Sequence, residues 1–144
     1  HTQSHVSFIT SHPAQLDGGW ELVGGASGRT VEVEVGGRRT ALRLFPSHCV
    51  AGTSGAQFAE GLDIQLIQHS VHKGMAEGVE AYSAFHDMAR SSTGEPALPG
   101  LTGWLRQRGV STLFVCGVAT EFCVRATVLD SLAEGFATVL LTDA

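Results

Sequence analysis

Residues 112–141, TLFVCGVATEFCVRATVLDSLAEGFATVLL, decide how the fold is read. Thr112 to Val118 is a continuous apolar run, the pattern of a buried parallel strand. Glu121 to Ala133 reads as a helix with Val124, Thr127, Val128, Ser131 and Leu132 on its inner side and Gly135 as its stop. Ala137 to Leu141 is a second apolar strand. Just upstream, Leu98 to Arg108 reads as another helix. Pro99 suits its first position, Leu101, Trp104 and Leu105 share one face, and Gly109 ends it. Helix, strand, helix, strand argues for an α/β fold with a parallel sheet.

Further out the pattern changes. TVEVEV (30–35) alternates at Val31, Val33 and Val35, the mark of a half-buried strand. Gly36-Gly37 then supplies a tight turn into RRTALRLF (38–45), so a hairpin is expected. Ile64 to Val71 reads as a short strand leading into His72-Lys73-Gly74. Residues 1–29 and 46–62 are turn-rich and read as loops.

The chain has 144 residues, the size of one ordinary domain. Its 43% hydrophobic and 16% charged content excludes a disordered chain. No apolar run reaches the roughly 18 residues a membrane span needs. A net charge of −5 argues against nucleic-acid binding, which needs a basic face. The cysteines, Cys49, Cys116 and Cys123, are odd in number and widely spaced, with no C-x-x-C pair. That argues against a disulfide scaffold and for a reducing, cytoplasmic setting. The first residue is His1 and the chain closes on an apolar run, so both ends read as cuts in a larger protein.

Cys123 is the best-placed reactive residue. It opens a helix that follows an apolar strand, and in open α/β sheets ligands bind at the carboxyl ends of strands. A helix N-terminus biases a thiol toward its nucleophilic thiolate, and its free N–H groups can hold an oxyanion. A small buried apolar residue is the other reading of the same position. Cys116 reads as core. Lys73, the only lysine, precedes a glycine at a strand's end; it fits either an activating cation or an exposed solubilising one. His1, His5 and His12 crowd the first loop and His48 precedes Cys49. Neutral imidazoles from two loops can bind a divalent metal, but the spacing alone is a weak signal. His69, His72 and His86 read as surface or hydrogen-bonded structural residues.

Four segments, in order, resemble nicotinamidases (pyrazinamidases), members of the isochorismatase-like cysteine hydrolases. FPSHCVAGTSGAQF (45–58) resembles their W-P-x-H-C-V-x-G-T-x-G-A-x-F stretch. HKGMAEGVEAYSAF (72–85) resembles their K-G followed by Y-S-A-F. CGVATEFCVRATVLDSLAEGF (116–136) resembles their C-G-x-A-T-D-x-C-V stretch and the helix after it. HTQSHVSF (1–8) is similar to the tail of D-W-H-P-x-x-H-x-S-F. Phe45 stands where the family has tryptophan and Glu121 where it has aspartate, and residues 13–44 carry an insertion with the hairpin around 30–44.

The resemblance implies a Rossmann-like parallel sheet flanked by helices, here a single partial domain over residues 1–144, truncated at both ends. It implies hydrolysis of nicotinamide to nicotinate and ammonia through a cysteine thioester, as in NAD salvage. Cys123 would be the nucleophile and Lys73 its lysine partner. The Val118–Ala119 bond would be cis, and the N–H groups of Ala119 and Cys123 would form the oxyanion hole. Phe45 and Tyr82 would line the ring pocket. His1 and His48 would bind a divalent metal, zinc first, with iron or manganese as alternatives; His5 matches a histidine that binds metal in some members. A catalytic and a metal-binding aspartate would precede His1, so the 144 residues alone are expected to be inactive and to fold poorly. The partner implied is a small molecule, with no nucleic acid and no membrane, and a homo-oligomer stays open. A related hydrolase of carbamoyl or ureido amides, a catalytically silent ligand-binding homologue and a structural metal-binding domain are the other readings.

Overall fold

A computed structural model describes residues 1–12, 30–35, 37–88 and 100–143. Residues 13–29, Gly36 and 89–99 lie outside the described residues, and with them the expected loop before the hairpin, part of its Gly-Gly turn and the Leu98-Pro99 start of the expected helix. The chain divides into two compact units, His1–Ser70 with Gly74–Glu80, and Val71–Lys73 with Ala81–Ala144.

In the first unit, β1 (Thr30–Val35) and β2 (Arg38–Arg43) form the expected antiparallel hairpin, with Val35 opposite Arg38. The alternation has its physical meaning here. Val31 and its cross-strand partner Leu42 are buried, while Glu32, Glu34 and Arg43 are exposed. The chain continues to Leu44, fully buried, and to Phe45, which forms a parallel bridge with Phe8. Backbone bonds Phe45 N→Ser7 O (2.9 Å) and Ile9 N→Phe45 O (3.0 Å) hold it. Residues 1–12 are therefore more than loop. They pair with this segment and end in a 3-10 turn, Ile9–Ser11.

Residues 64–71 do not form the expected strand. Ile64–Leu66 is a 3-10 turn whose cap, Asp63, accepts a bond from Gln65 N through its side chain (3.2 Å). That local bond competes with a ladder, and Ile64 and Leu66 stay exposed.

In the second unit, α1 (Leu101–Gln107) leads to β3 (Thr112–Val115), and α2 (Arg125–Ala133) leads to β4 (Ala137–Leu140). The two strands pair in parallel, Thr112 opposite Ala137 through Val115 opposite Leu140. The core is Phe85, Leu105 and Phe136, with Leu101, Trp104, Val110 and Leu113 packed on it. Both helices end the same way. Gly135 has φ +86°, its N–H bonds Leu132 O, and Phe136 N bonds Ser131 O. Gly109 has φ +69°, with Gly109 N→Arg106 O and Val110 N→Leu105 O. These are the paired bonds of a Schellman stop, which needs a residue free to adopt positive φ. Each stop also returns an apolar residue, Val110 or Phe136, to the core.

The apolar run 112–118 is not buried throughout. The strand ends at Val115, and alternate side chains point to opposite faces, so Leu113 packs on the core while Phe114 is 67% exposed. Cys116 lies beyond the strand and is exposed, not core. Leu132, expected on the inner side of its helix, is also exposed; Ser131 is the fully buried residue there, bonded to Thr138 Oγ1 (2.7 Å). No helix among the described residues is long and apolar enough to cross a membrane.

Candidate functional site

The second unit brings Lys73 and Cys123 together. Lys73 Nζ donates to Cys123 Sγ at 3.2 Å and to Ala81 O at 3.1 Å. An ammonium has only donors, so the sulfur is held as an acceptor. Both residues are half-buried.

The expected helix 121–133 is divided where Cys123 sits. Thr120–Val124 forms a π-helical turn that runs into α2. Ala119 O accepts from both Phe122 N (3.1 Å) and Val124 N (3.2 Å), which sets the wider turn. Thr127 fixes the cysteine from behind. Its Oγ1 donates to Cys123 O (2.7 Å) and accepts from Ala84 N (3.1 Å), tying the turn to the segment that carries Ala81 O. The Val118–Ala119 peptide is cis, as expected. Beside the turn, the rings of Tyr82 and Phe122 lie 5.8 Å apart. Tyr82 also borders a cavity of about 340 Å³ with Ser83, His86, Asp87, Ala126 and Asp130; Cys123 does not line it.

The first unit gathers the histidines. Phe8, fully buried, has the rings of His1 and His5 at 5.6 Å and that of His48 at 5.4 Å. His1 lies 4.3 Å from His5 and 5.0 Å from His48, ring to ring. Potential ligand atoms of His1, His5 and Glu80 all fall within 4.8 Å of one another. His48 is exposed, with its Nδ1 2.7 Å from Pro46 O, and lies beside this group of three. Phe45 is half-buried against the His48 ring, at 6.0 Å.

His5 and Glu80 are both buried, with Nε2 3.3 Å from Glu80 Oε1 and Nδ1 3.3 Å from Ala76 O. Both partners, a carbonyl and a carboxylate, accept, whereas a neutral imidazole has one N–H to give. His1 Nδ1 is buried with no hydrogen-bond partner among the described residues. Two imidazoles, one of them with an orphaned nitrogen, and a carboxylate are a donor set that fits a divalent transition metal.

Glu80 and Phe8 escaped the sequence reading. Glu80 pairs with a residue 75 positions away, and no local spacing links the two. Phe8 reads as ordinary core; only its three histidine neighbours give it a role. Phe8→Ala is expected to cost about 3–5 kcal/mol of stability, the usual range for a buried phenylalanine, and to loosen all three rings. Urea unfolding of the full protein, with and without added zinc, measures both effects.

A model of the isochorismatase domain matches residues 26–144. A nicotinamidase of Acinetobacter baylyi is 31% identical over 144 residues, all of this chain and 58% of that protein. A solved Acinetobacter baumanii nicotinamidase pyrazinamidase superposes with a TM-score of 0.80 at 34% identity, over 99% of this chain and 60% of that one. The pyrazinamidase of Pyrococcus horikoshii, solved in complex with zinc, gives 0.53 at 40% identity, over 69% of this chain and 49% of that one. The chain thus spans between about half and three-fifths of the length of these proteins. With the domain model matching well over half of its residues, this chain belongs to the isochorismatase family.

Proposed function

We propose that this protein hydrolyses nicotinamide to nicotinate and ammonia, with Cys123 as nucleophile. The observation that carries the reading is the Lys73 Nζ–Cys123 Sγ contact at 3.2 Å, made by residues in two of the four segments that resemble nicotinamidases. The similarity to a nicotinamidase along the whole chain supports it.

The chemistry follows from the substrate. A carboxamide carbon is a poor electrophile, so attack needs a charged sulfur and a place for the charge that forms on oxygen. Lys73 stabilises negative charge on Sγ by its ammonium. The thiol gives up its proton as the sulfur adds to the amide carbon, the C–N bond breaks, and the nitrogen takes up that proton and leaves as ammonia. The S–C(=O) thioester left on Cys123 is cut by water, giving nicotinate and restoring the thiol. The N–H groups of Ala119 and Cys123 are proposed as the oxyanion donors, on a turn that the doubly bonded Ala119 carbonyl holds in place. Tyr82 and Phe45 are proposed as ring contacts.

His1, with His5 and Glu80 and the neighbouring His48, is proposed to hold a divalent metal, zinc first, as in the zinc-bound relative. When bound, the metal would supply a Lewis-acid position for a nitrogen lone pair. All three cysteines are free, which supports a reducing, cytoplasmic setting.

The test is nicotinate and ammonia release from nicotinamide by the full protein. Equal amounts of the two products, lost on alkylation with iodoacetamide, support the reading. A folded full protein that leaves nicotinamide intact overturns it.

A further inference from the structure

We propose that Gly74 is a positioning residue for the metal-ligating cluster: the missing side chain is the seat of the His1 ring. The inference rests on the reading of His1 as a metal ligand. Gly74 is buried, and a Cβ built on it would overlap Nδ1 and Cε1 of His1, closer than real Cβ contacts come. Among the described glycines no other would meet an atom that close. The ring therefore lies directly on the Gly74 backbone, and any side chain there must push it away. Gly74 also opens the segment Gly74–Glu80 of the first unit, which ends at the cluster's carboxylate and carries Ala76, whose carbonyl faces His5 Nδ1.

Two effects must be separated, because Gly74 also has φ +66°. Gly52 provides the control: its φ is +82° and a Cβ there meets nothing within 4 Å. Gly52→Ala carries the backbone strain alone, whereas Gly74→Ala carries strain and overlap.

The experiment is zinc titration of the full protein against a chromophoric chelator, with the visible spectrum of the cobalt-substituted form as second readout. Gly74→Ala is expected to weaken zinc binding by about 10–100-fold and to alter the cobalt bands, with Gly52→Ala unchanged in both. In a His1→Ala background, adding Gly74→Ala is expected to cause no further loss of zinc and a drop in Tm no larger than that of Gly52→Ala, the strain without the overlap. This double variant covers the case in which Gly74→Ala alone unfolds, since trimming the ring then restores folding. Wild-type zinc affinity in Gly74→Ala, an equal loss in Gly52→Ala, or additive losses in the double variant would overturn the seat. A wild-type protein that takes up no zinc would instead overturn the metal reading, and this inference with it.

Discussion

Cys123→Ala in the full protein is expected to lower nicotinamide turnover by about 10⁴-fold or more, the scale of losing a covalent nucleophile. The fold should survive. The cysteine is half-buried, and the turn that presents it is held by backbone atoms and by Thr127, not by its sulfur. Zinc binding should survive too, because His1, His5 and Glu80 belong to the other unit. Circular dichroism, zinc content and steady-state kinetics on one preparation separate these outcomes. Turnover retained by Cys123→Ala would remove the thioester route.

Lys73→Met should lower kcat by about 10²–10⁴-fold with a smaller change in KM. The substitution keeps an apolar stem and removes the ammonium that donates to Sγ and to Ala81 O. If Lys73 acts by stabilising charge on the sulfur, the same variant should alkylate more slowly at Cys123 with iodoacetamide. A purely structural lysine would instead lower Tm and leave the alkylation rate of the folded protein alone. Lys73→Arg is expected to restore little activity, since a planar guanidinium does not reproduce the point charge of an ammonium.

Much of the second unit was legible because its signals are local. Gly109 and Gly135 mark helix ends by a conformation that other residues adopt at a cost, and both stops stand where the glycines are. The strand–helix–strand order of 112–141 and the Val31/Leu42 hairpin follow from side-chain spacing in the same way. Apolarity cannot report how much of an element is covered, so the sequence predicts burial for Phe114, Cys116 and Leu132, all of which are exposed. Nor could apolarity alone reveal that Asp63 would cap a turn at Ile64–Leu66.

The site divides along the same line. Cys123 was visible from its place after an apolar strand, and Lys73 gained meaning only from the resemblance, since a lone lysine is more often a solvated one. Their contact spans 50 positions and no local pattern announces it. The partners that organise the histidines, Phe8 and Glu80, lie inside the segments 1–8 and 72–85, but nothing local in their residue type announces the role. One acts by lying under three rings and the other by facing a buried imidazole.

The central claim is that Cys123 carries the acyl group. The most direct measurement is acid quench of the full protein during turnover of nicotinamide, followed by mass spectrometry of the peptides that contain each cysteine. The account predicts one added nicotinoyl group on Cys123, none on Cys49 or Cys116, and its disappearance on base treatment. Turnover with all three cysteines unmodified in the steady state, and undiminished after alkylation of Cys123, would contradict it.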